Sequence, residues 1–124
     1  MKVEELRLNN YVYSGVRMVK VKSIHTESVL KDEVSIYIEL NENLSHYCVS
    51  MYDIKPIELT EEILLKCGFV KCSYIDNHYN VLGMVIWNCN GMFICNKNGV
   101  QLKYLHQLQN LYFALTSKEL EINI

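Results

Sequence analysis

The residues best suited to bind a ligand lie in one segment, KYLHQLQNLYFALT at 103–116. Imidazole nitrogens and carboxamides both donate and accept hydrogen bonds. An apolar stripe at helical spacing runs beside them, formed by Leu105, Leu108, Tyr112 and Leu115. His106 and Asn110 lie along the neighbouring row of that helix, and Gln107 and Gln109 lie on other faces. His106 and Asn110 are the candidate ligand-binding residues of this helix, but buried polar groups are usually paired within the structure, so we favour the alternative that they satisfy backbone groups of loops at the edge of the core.

A second polar segment, KCSYIDNHYN at 71–80, has the composition of a recognition loop. Aromatic rings stack on nucleobases, and lysine and amide groups contact phosphates and base edges. Loops held by a rigid sheet are common places for recognition. Lys71, Tyr74, His78 and Tyr79 are therefore candidate ligand contacts, although exposed loops are polar by default and we favour an ordinary tyrosine-rich hairpin loop.

The five cysteines are an odd number without a regular framework, which predicts reduced thiols and no disulfides. A zinc site can be drawn from Cys67, Cys72, Cys89, Cys95 and His78, although their spacing is not that of paired knuckles. Cys89 and Cys95 flank a hairpin and could face each other. Cys67 follows helical periodicity and Cys72 falls in a predicted strand, where a thiol packs as a small apolar group. The sequence therefore predicts neither a metal nor any other cofactor.

Catalysis by a nucleophile needs a base beside it and a third group that orients the base. The histidines are scattered, no serine stands in a nucleophile-elbow pattern, and no glycine-rich loop precedes a helix. We therefore predict no catalytic residues. The enzymatic alternative, degradation of a nucleotide, would have to use His78 or His106.

The elements that must position these side chains can be read from hydrophobic periodicity. The first half alternates in the strand period over four segments, 11–13, 16–24, 34–40 and 44–51, with a hairpin loop at 41–43. Short strands linked this closely tend to curl. The first half is therefore predicted to form a small antiparallel β-barrel or a bent sheet.

After Pro56 the pattern changes. Thr60 is a good N-cap for a helix over EEILLKC, and Gly68 can end that helix. A β-meander follows, with strands at 69–74, 81–88 and 92–95, and with Asn90-Gly91 as its strongest hairpin signal. A long C-terminal helix at 103–116 and a short terminal strand in KELEI complete the order. The predicted fold class is α+β, in a single domain, 1–124, that can be divided into lobes 1–55 and 56–124.

Composition limits the setting and the partners. A formal net charge of -2 argues against an extended footprint on nucleic-acid phosphates, which is built from many lysines and arginines. The opening MKVEELRLNN has acidic residues where a secretory signal would be basic and then apolar, and no run is long enough to span a membrane. We expect the protein in the cytoplasm, away from membranes.

Three segments resemble a family of small proteins encoded by phages, prophages and mobile elements of gut Bacteroidetes. They are VQLKYLHQLQNLYFALTSKELEI, the opening KVEELRLNNYVY, and KPIELTEEILLKCGF. The helix segment is the most specific part, and Cys67 departs from the aromatic residue expected before Gly68. The family has no settled activity, so the resemblance implies a bacterial host cell and transfers no catalytic residue.

These observations support a non-catalytic binding protein of a phage or mobile element. Its ligand would be a host nucleotide signal of an antiviral defence, or a host protein. The apolar excess, with Trp87 and Tyr112 available, predicts a homo-oligomer. The alternative is a nucleic-acid-associated small barrel of the SH3-like kind, using the N-terminal strands. The candidate residues for its surface are Tyr11, Tyr13, Arg17, Lys20 and Lys22. Alternation along the strand places Arg17 on the face opposite Lys20 and Lys22, which leaves few basic residues on either face.

Overall fold

The computed structural model describes residues 5–26, 34–39, 46–50, 53–81 and 84–123. The chain divides into two compact units, Met1–Ile57 and Glu58–Ile124. Two antiparallel sheets and two helices make up the described elements, so the predicted α+β class is confirmed. The prediction of a single domain stays a prediction, and each unit is described by itself.

The first unit contains a five-stranded antiparallel sheet in the order β4, β3, β2, β1, β5. Its strands are β1 (Tyr11–Ser14), β2 (Arg17–Thr26), β3 (Val34–Glu39), β4 (His46–Ser50) and β5 (Ile54–Lys55). The four predicted strands are present with shifted ends, whereas the two-residue β5 is too short to give a periodic signal. The described pairings do not join β4 to β5, so a closed barrel is not confirmed. The predicted hairpin loop at 41–43 lies outside the described residues.

Alternation along β1 and β2 sends one set of side chains into a small core. The core consists of Leu6, Val12, Val19, Val21 and Ile54, with Ile24 and Val49 packed against it. Val12 pairs directly with Val19 across β1 and β2. Because directly paired residues point to the same side of a sheet, this register fixes which face of the sheet is apolar.

The second unit contains another five-stranded antiparallel sheet, in the order β10, β9, β8, β7, β6, and both helices. Its elements are α1 (Glu61–Lys66), β6 (Val70–Lys71), β7 (His78–Val81), β8 (Met84–Cys89), β9 (Met92–Cys95), β10 (Gln101–Leu102) and α2 (Leu105–Thr116). None of the helices formed by described residues is long and apolar enough to cross a membrane.

Helix α1 begins and ends as its sequence predicts. The hydroxyl of Thr60 accepts a hydrogen bond from the Ile63 amide at 3.2 Å. This contact satisfies one of the free N–H groups at the helix start. Gly68 has φ +87° just beyond the helix, a left-handed conformation that glycine adopts without a steric penalty. Burial of Ile63 and Leu64 holds the helix on the core.

The Asn90-Gly91 hairpin is also confirmed. Both residues have positive φ, 53° and 85°, as a two-residue turn between antiparallel strands requires. The amide of Gly91 donates to Oδ1 of Asn88 at 2.9 Å. This turn sets the register between β8 and β9.

Two predicted features of the second unit differ from the structure. The segment 71–80 is not one loop, because its last three residues belong to β7 (His78–Val81). The KELEI segment is irregular instead of a terminal strand; the chain end is held by the amide of Asn123, which donates to the carbonyl of Lys66 at 2.8 Å. In β7 only Tyr79 is fully buried, so the strand lacks the apolar alternation that would predict it.

Helix α2 buries only the first part of the predicted stripe, Leu105 and Leu108, together with two polar residues. Its buried side chains are Leu105, His106, Leu108 and Gln109. Leu115, which was predicted to be in the stripe, is 37% exposed. The first half of the helix is therefore the part that packs in the core.

Candidate functional site

One face of the second sheet carries exposed apolar and aromatic side chains. Strand pairing places His78 beside Trp87, Trp87 beside Ile94, and Ile94 beside Gln101, which makes one row across four strands. The same register adds other residues to this side of the sheet. We call it the Trp87 face, formed by Val70, His78, Asn80, Val85, Trp87, Cys89, Met92, Ile94 and Gln101. None of these described side chains is a carboxylate, an ammonium or a guanidinium.

At one end of the row, His78 and Trp87 form a stacked pair. Their ring centroids are 5.9 Å apart, with 21° between the planes. Nδ1 of His78 lies 2.9 Å from the carbonyl oxygen of Asp76. Because a carbonyl can only accept, Nδ1 is the donor in this contact, which holds the imidazole in place. The indole therefore has a fixed neighbour on one side while Trp87 stays 40% exposed.

The exposed part of this face is substantial for a sheet of short strands. Val70 is 67% exposed and Met92 is 46% exposed. Single apolar residues on a surface are ordinary, but a contiguous set marks a contact surface. Tryptophan and methionine without neighbouring charges are typical of the centre of a protein interface.

The opposite face of the same strands carries a polar cluster. The Tyr79 hydroxyl donates to Oε1 of Glu61 at 3.0 Å, and Nζ of Lys71 lies 3.3 Å from the same oxygen. The Tyr79 hydrogen bond, and then Lys71, lower the pKa of Glu61. Burial, and then the bond to Glu61, raise the pKa of Tyr79. Because Glu61 starts α1 while Lys71 and Tyr79 pair across β6 and β7, the cluster fastens the helix to the sheet.

The structure therefore separates the residues predicted in segment 71–80. Lys71 and Tyr79 contact Glu61 on the core side of the sheet, whereas His78 belongs to the Trp87 face. Tyr74 is 85% exposed in the turn before β7. Of the four predicted contacts, only His78 joins the exposed row.

The polar residues of α2 divide in a similar way. His106 is fully buried, and its ring stacks on Tyr104 with centroids 5.7 Å apart. Asn110 is half-buried one turn further along. Oε1 of Gln107 accepts from the amides of Lys103 and Tyr104, at 2.9 and 3.0 Å. Gln107 therefore satisfies backbone groups at the start of the helix, while both interpretations of His106 and Asn110, a ligand contact and satisfaction of loop backbone groups, stay predictions.

The cysteines do not assemble a metal site among the described residues. Cys89 pairs with Met92 and Cys95 pairs with Ile86, so Cys89 and Cys95 lie on opposite faces and the expected juxtaposition is wrong. Burial raises the pKa of the Cys67 thiol to about 12. In the part of the chain that the structure describes, no three histidine, cysteine or acidic side chains are grouped to hold a metal ion.

The first sheet has a basic and aromatic face of its own. Tyr13 pairs with Met18 on one side and Lys55 on the other, and Tyr11 pairs with Lys20. Nζ of Lys20 lies 5.6 Å from the centre of the Tyr11 ring. We call this set the Tyr-Lys face, formed by Tyr11, Tyr13, Met18, Lys20 and Lys55. Arg17 pairs with Ser14 in the other set, which agrees with its predicted separation from Lys20.

Sequence reasoning missed the row through Trp87 because it treated His78 as a loop residue. The available signal was the spacing of His78, Asn80, Val85 and Trp87, which brings them to one face when β7 pairs with β8. Comparison with known protein families, with curated proteins and with solved structures found no match to this chain.

Proposed function

We propose that this chain is a non-catalytic binding protein that holds a protein partner against the Trp87 face. The observation that carries the proposal is the uncharged row of His78, Trp87, Ile94 and Gln101, in which the indole is 40% exposed. Interface hot spots are enriched in tryptophan and lie at the centre of patches from which water is excluded. A partner that covers this row would bury the indole.

The charge of the face favours a protein over a nucleotide. Phosphates are recognised by lysine and arginine side chains or by free backbone amides. The nearest lysine in sequence, Lys71, points to the other side and pairs with Glu61. A nucleobase could stack on the exposed indole, yet none of the residues that form the face is a cation that would meet its phosphate, and Lys103 lies only at its edge, in a cleft shared with Met92 and Gln101. A host nucleotide signal is therefore the less favoured ligand.

The proposed setting is the cytoplasm of a bacterial host. It rests on the resemblance of three segments, the C-terminal helix segment, the opening segment and the central segment KPIELTEEILLKCGF, to proteins of phages and mobile elements. A small binding protein in that setting would act by occupying a host protein, including one of an antiviral defence. This part of the proposal concerns the identity of the partner and leaves the chemistry of the face unchanged.

Quantitative affinity capture from a Bacteroidetes lysate, followed by reconstitution with each purified candidate, tests the proposal. Trp87→Ala removes the indole, and Tyr74→Ala is the matched control because it removes a more exposed aromatic ring outside the face. We expect the reconstituted affinity to fall at least tenfold in Trp87→Ala, and to be unchanged in Tyr74→Ala. Equal affinity of all three proteins for every partner would contradict the proposal. Circular dichroism checks that both variants fold.

Self-association through the same face is the competing occupant and corresponds to the predicted homo-oligomer. An uncharged surface can meet its own copy without charge repulsion. Native mass spectrometry of the wild type and of Trp87→Ala separates the two cases. A dimer that is lost in Trp87→Ala would replace the host partner with a second copy of the chain.

A second candidate function is nucleic-acid binding by the first unit, favoured by the Tyr-Lys face. Aromatic rings between lysines are suited to single strands, because bases stack on the rings while lysines meet phosphates. A bent sheet closing towards a small barrel belongs to this alternative. Retardation of a labelled single-stranded oligonucleotide at low salt tests it, with Tyr13→Ala as the variant and Tyr74→Ala as the control. No retardation at low salt would remove it.

A further inference from the structure

A cleft of about 440 Å³ opens in the second unit at the edge of the Trp87 face, and Met92 and Gln101 belong to both. Its volume is within the range of roughly 300–1,000 Å³ that is usual for small-molecule sites. Strand β10, the β8–β9 hairpin and the segment before α1 supply its walls. The lining residues are Glu58, Leu59, Asn90, Gly91, Met92, Phe93, Gln101, Leu102 and Lys103.

The floor of the cleft is apolar and is fixed by strand pairing. Phe93 pairs with Leu102 across β9 and β10, and both side chains are buried. Leu59 is buried beside them, and its amide donates to the carbonyl of Lys103 at 2.9 Å. An apolar group placed on this floor would be removed from water by residues that are already ordered.

The rim carries one charge of each sign. Glu58 forms an antiparallel bridge with Tyr104, so its segment runs directly beside Lys103. Neither Glu58 nor Lys103 takes part in the ion pairs that the described residues form. The Lys103 ammonium lies over the Tyr104 ring, with Nζ 5.4 Å from the ring centre. A carboxylate and an ammonium on adjacent segments present complementary charges to a ligand that carries both.

We propose that this cleft binds a small zwitterion with an apolar side chain, of the amino-acid or dipeptide class. The ligand ammonium pairs with Glu58, its carboxylate pairs with Lys103, and its side chain lies on Leu59, Phe93 and Leu102. The carboxamides of Asn90 and Gln101 supply further donors and acceptors at the rim. The inference does not rest on the protein partner proposed above, although Met92 and Gln101 belong to both surfaces.

Isothermal titration with L-phenylalanine, L-leucine and the dipeptide Leu-Leu tests the proposal on the full chain. Phenylethylamine and 3-phenylpropanoate are the matched probes, because each keeps the apolar group and only one charge. We expect at least one zwitterion to bind with a Kd of about 1 mM or tighter, and both single-charge probes to bind at least tenfold more weakly. Amide shifts at Gly91 and Gln101 in an NMR titration locate the binding.

The variants separate this site from general surface binding. Glu58→Gln and Lys103→Met are each expected to weaken the zwitterion at least tenfold, whereas the exposed controls Glu121→Gln and Lys97→Met leave it unchanged. Trp87→Ala also leaves it unchanged, which keeps this test distinct from that of the proposed function. The proposal is overturned if no zwitterion binds at about 10 mM, or if the single-charge probes or the Glu58 and Lys103 variants bind equally well.

Discussion

Replacing Gln107 by alanine removes the acceptor that organises the start of α2. Its Oε1 receives the amides of Lys103 and Tyr104 at 2.9 and 3.0 Å, so the substitution leaves two N–H groups without this partner. A typical hydrogen bond contributes about 1 kcal/mol, and the loss of a helix cap costs about 1 kcal/mol. The bond to Lys103 is exposed, so water replaces part of it. We expect a loss of about 1–2 kcal/mol in the free energy of unfolding.

Urea denaturation followed by tryptophan fluorescence measures this loss where it occurs. Trp87 is the single tryptophan of the chain and belongs to the same unit as α2, so its emission reports that unit. Gln107→Glu keeps a carboxyl oxygen at the same position and adds negative charge near the helix start, where the helix dipole favours it. We expect Gln107→Glu to remain within about 0.5 kcal/mol of the wild type. Equal stabilities of Gln107→Ala and Gln107→Glu would refute the capping role.

Other predictions concern the polar cluster, the thiols and the hairpin. Tyr79→Phe removes the hydrogen bond to Glu61 and should lower the free energy of unfolding by about 1 kcal/mol. NMR titration of this variant should show the pKa of Glu61 moving up towards its ordinary value. An unchanged pKa would contradict the hydrogen bond between Tyr79 and Glu61. Because folding lowers the pKa of Glu61, the ionised carboxylate stabilises the folded state. This contribution to the free energy of unfolding is complete above the ordinary pKa of 4.5 and is lost as the pH falls below it. Glu61→Gln should therefore make the free energy of unfolding depend less steeply on pH in acid. Iodoacetamide should modify the half-buried Cys89 before the buried Cys67, whose pKa of about 12 keeps it a thiol, and mass spectrometry showing the reverse order would be inconsistent with the structure. Gly91→Ala should cost about 1–2 kcal/mol because φ is +85°, and a neutral result in the same urea assay would count against the positive-φ turn.

Local signals predicted the elements whose ends are set by a single residue. Thr60, Gly68 and Asn90-Gly91 each act within a few residues of chain, so the helix cap and the hairpin could be read directly. The strands of the first unit were also predicted, because apolar and polar residues alternate along their sequences. Very short strands such as β5 and β10 gave no periodic signal, because two residues define no period.

The candidate site was harder to predict because it depends on register between strands. His78 and Trp87 are neighbours only because β7 pairs with β8 in one particular alignment. The same register separates Lys71 and Tyr79 from His78, although the three lie close together in sequence. For α2, composition identified the polar residues but could not assign their faces, and it gave no sign that Gln107 accepts from the amides of Lys103 and Tyr104.

Site-specific photo-crosslinking in living host cells tests the central claim most directly. A photoreactive amino acid placed at Ile94, beside Trp87 in the row, is compared with the same group placed at Tyr74. The account predicts a covalent adduct with a host protein from position 94, lost when Trp87→Ala is added, and none with that protein from position 74. Adducts that form equally from both positions, or that survive Trp87→Ala, would contradict a partner bound on the Trp87 face.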